Sequence, residues 1–339
     1  MELLAFIGLL IFGGVIMIAG GELLVRGASR LACLFGIPPL IVGLTIVAAC
    51  TSAPELTVSL AAVFRENVGA DVAVGNVVGS NIFNILFILG VSAMICPIYT
   101  SSQLIKREIP LLIVISLLFL GISWITVRTI SGENSCCFPR WGGILFLILF
   151  ISYNIWLIRE VRIDKTDSFK DQISQKMVSE RKHSAGCEFM ISMALFVSGL
   201  ASLIYGSNRF IDGAIGIAKI AGVSELVIGL TIIAAGTSLP ELVVSGVAAL
   251  RGKNDIAIGN VVGSCIFNLL CIIGVVATIR GELAVSYDMI VRDIPVMVGT
   301  SLLGGTICIT GRKVTKSEGV LLFLCYIGYI AYLIACSVA

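Results

Sequence analysis

Much of this chain is one sequence written twice. Gly43 to Arg65 reads GLTIVAACTSAPELTVSLAAVFR and Gly229 to Arg251 reads GLTIIAAGTSLPELVVSGVAALR, identical at 15 of 23 positions at an offset of 186. Upstream, Gly20, Gly27, Ala28, Ala32 and Gly36 match Gly206, Gly213, Ala214, Ala218 and Gly222 at that same offset. Downstream, after a shift of two residues, DVAVGNVVGSNIFNILFILGV from Asp71 matches DIAIGNVVGSCIFNLLCIIGV from Asp255 at 15 of 21 positions. KREIP and VRDIP, ending at Pro110 and Pro295, carry the match further.

What is repeated is apolar. The 339 residues are 58% hydrophobic and 13% charged, against about 25% charged in a soluble domain, so the chain reads as an all-α polytopic membrane protein. Roughly 20 apolar residues cross a bilayer, which predicts ten spans near 3–25, 38–64, 71–96, 104–127, 141–159, 189–209, 224–250, 255–279, 289–310 and 318–337. Residues 1–158 and 189–339 are then two five-helix repeats, joined by a polar linker over 159–188 that holds the sole histidine, His183. Five is an odd number, so the second repeat enters the membrane from the opposite face. Inverted repeats with broken helices meeting at the midplane are a transporter architecture.

Orientation follows from the basic residues. Loops after odd-numbered spans carry 16 of the 23 Lys and Arg, which predicts a cytoplasmic linker and external termini by the positive-inside rule. The run from Leu3 to Ala19 follows Glu2 without a basic segment, so it reads as a first span and not a cleaved signal. A net charge of +2 gives no reason to expect a nucleic-acid partner. Most of the 11 cysteines lie inside apolar runs as small hydrophobes, without zinc-ligand spacing; only the adjacent Cys136 and Cys137 suggest redox chemistry.

Inside each repeated stretch lies a carboxylate, Glu55 or Glu241. A charge at membrane depth costs a few kcal/mol on insertion scales, so such residues usually serve a function. Thr51 and Ser52 fall four and three residues before Glu55, with Ala48 a turn below, and Thr237, Ser238 and Ala234 repeat this around Glu241. Pro54 removes an N–H and disfavours helix at Ala53, so a break is expected there. In the following span Asn76, Ser80 and Asn84 share a helical face, as do Asn260, Ser264 and Asn268. Clustered oxygens of these kinds bind hard cations.

CTSAPE, GTSLPE and the two GNVVGS-x-IFN stretches resemble the paired repeats of the cation/calcium exchanger superfamily, and within it the prokaryotic-type sodium/calcium antiporters. The resemblance implies a metal site with Glu55 and Glu241 at its centre. Thr51, Ser52, Thr237 and Ser238 would add hydroxyls or carbonyls, Ala48 and Ala234 carbonyls, and Ser80, Asn84, Ser264 and Asn268 the rest. Cys50 departs from the glycine kept at Gly236, and Asn268 is an amide where some relatives, including potassium-dependent ones, carry an acid.

The expected function is therefore secondary antiport of Ca²⁺ against Na⁺ by alternating access in the plasma (inner) membrane, without a cofactor or obligate protein partner. A Ca²⁺/H⁺ antiporter using the same glutamates is the alternative. A Ser–His protease is disfavoured because His183 lies in a hydrophilic loop, and an aspartyl protease because no Asp lies deep within a span. The smooth, glycine-rich spans 1 and 6 are expected to slide against the rest. Two glutamates balance one Ca²⁺, so potassium should not be required.

Overall fold

The computed structural model describes residues 2–64, 70–130, 133–164, 185–222 and 234–338. α1 (Glu2–Phe35) leads into a bent pair, α2 (Pro39–Thr51) and α3 (Ala53–Phe64), then α4 (Asp71–Ile95), α5 (Leu104–Ile125) and α6 (Arg140–Asp164). The second half holds α7 (Ala185–Ile220), α8 (Ala234–Thr237), α9 (Leu239–Leu250), α10 (Asn254–Arg280), α11 (Met289–Gly311) and α12 (Lys316–Val338). Among the described residues eight helices are long and apolar enough to cross a membrane, and nine if α2 and α3 count as one span. The expected seventh span begins at 224, so its start lies outside the described residues, as does 165–184 of the linker.

Two spans run well past their expected ends. α1 continues to Phe35 and α7 to Ile220, because the polar residues that end the hydropathic run are satisfied on the helix itself. Arg26 pairs with Glu22 one turn back, and Leu24, Gly27, Ala28, Leu31 and Ala32 keep burying one face. These two helices pack antiparallel with almost no space between backbones. A Cβ on Gly13 would sit 2.5 Å from Phe210 N, and one on Gly199 2.4 Å from Leu24 N. Small residues permit such approach where lipid offers no hydrophobic drive.

Elsewhere the halves exchange helices. α12 packs on α4, with Gly319 against Gly90, and α6 packs on α10, with Gly143 against Gly274. Phe83 meets Tyr326 edge-on at 5.3 Å, and Phe267 meets Phe150 likewise at 5.7 Å. The last helix of each half thus lies on the third span of the other. Each half also ties its fourth span to its fifth through one acid–tyrosine bond. Tyr153 Oη donates to Glu108 at 2.5 Å and Tyr329 Oη to Asp293 at 3.2 Å.

Short strands join loops of the two halves in pairs. β1 (Ile98–Tyr99), after α4, pairs antiparallel with β6 (Lys313–Val314), after α11. β4 (Cys137–Pro139), after α5, pairs with β5 (Glu282–Ala284), after α10. β2 (Arg128–Ile130) and β3 (Glu133–Ser135) form a separate pair within the loop after α5. The β1–β6 and β4–β5 sheets are equivalents under the internal two-fold, and alternation of the spans requires them to lie on opposite faces.

The break in the second span falls at Ser52 (φ −84°, ψ 8°) and not at Ala53, bending α2 against α3 by 43°. Ala53 and Pro54 instead open the next helix, where a missing N–H costs nothing. Ser238 (φ −92°, ψ 8°) and Pro240 repeat the arrangement. A further departure from simple helical spacing is a set of π-turns at Gly43–Val47, Phe83–Ile88, Leu104–Glu108, Asn268–Ile273 and Met289–Asp293. Such bulges frequently mark functional sites. Asn84 and Asn268 both lie in one.

Candidate ion site

The two breaks bring the two carboxylates together in the protein interior, and each is held by the other half. Ser52 Oγ donates to Glu241 Oε1 at 2.8 Å, and Ser238 Oγ donates to Glu55 Oε1 at 2.8 Å. Thr51 and Thr237 also lie beside Glu241 and Glu55 respectively. Ser238 Oγ is 3.2 Å from Ser80 Oγ. Glu55 is 1% exposed and Glu241 fully enclosed. A helix break is what makes the crossing possible. It turns the hydroxyl of Ser52 or Ser238 away from its own helix and across the interface.

Behind the glutamates stand matching braces. Asn76 Nδ2 donates to Glu55 O at 3.2 Å and to Ser59 Oγ at 3.1 Å, while Asn260 Nδ2 donates to Glu241 O at 3.4 Å and Ser245 Oγ at 3.0 Å. Both asparagines share a sequence face with the site serines, yet they grip the backbone carrying each glutamate. Ala48 O accepts from Ser52 N–H at 2.9 Å and lies 3.2 Å from the Thr51 hydroxyl. That hydroxyl is also 3.1 Å from Asn260 Oδ1. With one proton to give, it can turn to Asn260 and leave an Ala48 lone pair for a ligand. Ala234 opens α8 at the equivalent position.

The remaining polar atoms are short of partners. Glu55 Oε2, Glu241 Oε2, Ser264 Oγ, Asn268 Oδ1 and both amide atoms of Asn84 are buried without a hydrogen bond. An unsatisfied buried polar atom costs about 1–3 kcal/mol, and more when charged. Five oxygens in that condition, two of them on the carboxylates themselves, are ligands that a hard cation would satisfy.

Of the expected residues, Thr51, Ser52, Glu55 and Ser80 are thus tied to Thr237, Ser238 and Glu241 across the two halves, while Asn84, Ser264 and Asn268 lie buried on the helices that follow. Sequence reasoning missed Asn81 and Cys265, which occupy one position of the repeat. Asn81 Nδ2 donates to Cys265 O at 3.3 Å, and its Oδ1 accepts from Asn268 Nδ2 at 3.1 Å. The signal was a polar residue standing in one copy only.

Two inverted halves joined at a buried oxygen cage define a secondary transporter of the inverted-repeat class. The model of the sodium/calcium exchanger protein family matches residues 5–159 and 191–335, and the chain belongs to that family. CaxA of Alkalimonas amylolytica is 37% identical, over 94% of this chain and 95% of its own. The sodium/calcium exchanger MaX1 of Methanosarcina acetivorans is 30% identical, over 96% and 97%. The solved structure of the sodium-calcium exchanger NCX_Mj soaked with Na⁺ and Ca²⁺ superposes with a TM-score of 0.77 at 29% identity, covering 96% of this chain and 98% of that one. The protein is thus a multi-pass membrane transporter and not an enzyme, with the ten-helix inverted-repeat fold.

Proposed function

We propose that the chain exchanges Ca²⁺ for Na⁺, and that the crossed glutamate pair is where both ions bind. The observation that carries this reading is the set of buried, unpartnered oxygens on Glu55, Glu241, Asn84, Ser264 and Asn268. Two carboxylates neutralise one Ca²⁺, and hydroxyl, amide and carbonyl oxygens bring the count toward the six to eight it takes. Thr51, Ser52, Thr237, Ser238, Ser80, Ala48 and Ala234 supply or orient the remainder. Na⁺ competes for the same oxygens, so occupancy by one ion excludes the other. If the empty cage does not reorient, obligatory exchange follows.

Residues 1–158 and 189–339 are the two repeats in this reading, with 159–188 a cytoplasmic connector and both termini external in the plasma (inner) membrane. The basic residues of the odd-numbered loops support that orientation. Relatives whose names state sodium/calcium exchange support the ion pair. The test is Ca²⁺ uptake into proteoliposomes driven by an outward Na⁺ gradient, repeated with an outward H⁺ gradient and no Na⁺. Uptake with Na⁺ alone supports the reading. Uptake with H⁺ alone replaces it with Ca²⁺/H⁺ antiport by the same glutamates.

A further inference from the structure

The two-fold that relates the halves fails at one position inside the site. Asn81 in α4 and Cys265 in α10 are equivalents in sequence and face each other across the pseudo-axis. Asn81 donates to Cys265 O, and Cys265 Sγ lies 3.9 Å from Asn81 O. Their side chains then act differently on the two amides one turn further along. Asn81 Oδ1 accepts from Asn268 Nδ2 at 3.1 Å, which points Asn268 Oδ1 away, unpartnered. Asn81 is itself held by Cys265 O and lies 3.7 Å from Met297 Sδ, at 1% exposure. On the other side the Cys265 thiol lies beside the Asn84 side chain as a weak acceptor in place of an amide oxygen, and neither atom of the Asn84 amide makes a full hydrogen bond.

We infer that Asn81 is a positioning residue that fixes Asn268 as an oxygen ligand, and that the weaker Cys265 thiol holds Asn84 less firmly, so the two halves of the cage are inequivalent. The inference rests on the cation site proposed above. An amide whose nitrogen is already bound can present only its oxygen to an ion. An amide held only by a thiol is less firmly set between oxygen and nitrogen, and loses more rotamer freedom when it binds. Outer partners that orient a ligand typically change metal affinity 10- to 100-fold when removed. The Asn268 side is therefore preorganised for a divalent ion with exacting ligand demands, and the Asn84 side is the adaptable one.

The test compares Asn81→Ala, Asn81→Cys, Cys265→Asn and the Asn81→Cys/Cys265→Asn exchange in the full-length protein. Each is measured for half-saturating Ca²⁺ in Na⁺-driven uptake and for Ca²⁺-induced thermal stabilisation in detergent. Asn81→Ala and Asn81→Cys are expected to raise half-saturating Ca²⁺ about tenfold or more. Cys265→Asn should lower it several-fold by giving Asn84 an amide oxygen as a stronger acceptor than the thiol. The exchange should recover at least half, on a logarithmic scale, of what Asn81→Cys loses, because one fixed amide has only changed sides. A purely structural role for Asn81 does not produce that recovery. Half-saturating Ca²⁺ within twofold of the parent for folded Asn81→Ala overturns the inference. If the Asn81 single variants do not fold, Cys265→Asn decides, and an unchanged Ca²⁺ response there overturns it equally. Glu241→Gln run alongside separates the two readings: retained exchange sinks the site itself, whereas lost exchange with an unchanged Asn81→Ala sinks only this inference.

Discussion

Replacing Glu241 with glutamine changes one charge and almost no shape. Glu241 Oε1 accepts from Ser52 at 2.8 Å, a bond the amide oxygen of glutamine can keep, and Oε2 has no hydrogen bond to lose. The fold should survive. The ion should not bind as before. Two unit charges about 4 Å apart interact by about 4 kcal/mol at an effective dielectric constant of about 20, so a dication gains about 8 kcal/mol from one carboxylate. Most of this is offset by desolvation and by the carbonyl that glutamine still offers. If about a third survives, Ca²⁺ loses roughly 2.7 kcal/mol, or on the order of 100-fold in affinity, and Na⁺ about half that energy, or roughly tenfold. The measurement is half-saturation by each ion, from Na⁺-driven Ca²⁺ uptake in proteoliposomes and from thermal stabilisation in detergent. A Ca²⁺ loss under threefold, or equal losses for the two ions, refutes the argument that charge at Glu241 does the discriminating.

The exposed Cys187 near the start of α7 should react with an impermeant thiol reagent only from the cytoplasmic side, in a variant stripped of its other cysteines; labelling in intact cells reverses the orientation. Transport should run at full rate without K⁺, because the amide of Asn268 leaves two carboxylates for one Ca²⁺ and a co-bound K⁺ would need a third anion; a strict K⁺ requirement defeats that count. Gly21 and Val243 lie close enough that a Cβ on the glycine would be 2.8 Å from Val243 Cγ1. A disulfide across α1 and α9 at these positions should therefore block exchange reversibly, provided the α1–α7 pair slides against the rest, and unchanged transport in the oxidised protein would argue that it does not.

The ten-span inverted architecture was legible because polar interruptions and repeated motifs survive in both copies. Glu55, Glu241 and their Ser–Thr neighbours were legible because a carboxylate in an apolar run has few bland explanations. The crossing of Ser52 to Glu241 and of Ser238 to Glu55 was not, since helical spacing ranks neighbours within one helix and says nothing of a partner 189 residues away. Asn76 and Asn260 share the face of Ser80 and Ser264 by spacing, yet they brace backbone. The π-turns at Phe83 and Asn268 add a residue per turn that no hydrophobic period records. Asn81 lies off the face that spacing selects, and only its hydrogen bond to Asn268 gives it a role.

The exchange of terminal helices between halves sets an order on biosynthesis. When the first half has left the ribosome, the groove on α4 at Gly90 has no protein to fill it, and it stays so until α12, a helix of 23 residues, is inserted. In the same interval α6 waits for α10. Neither half can mature as a nascent unit, and lipid must cover the groove on α4 until late in synthesis. A stop codon just before α12 therefore leaves a hole on α4, in the half that was made first, besides removing the Tyr329–Asp293 tie within its own half.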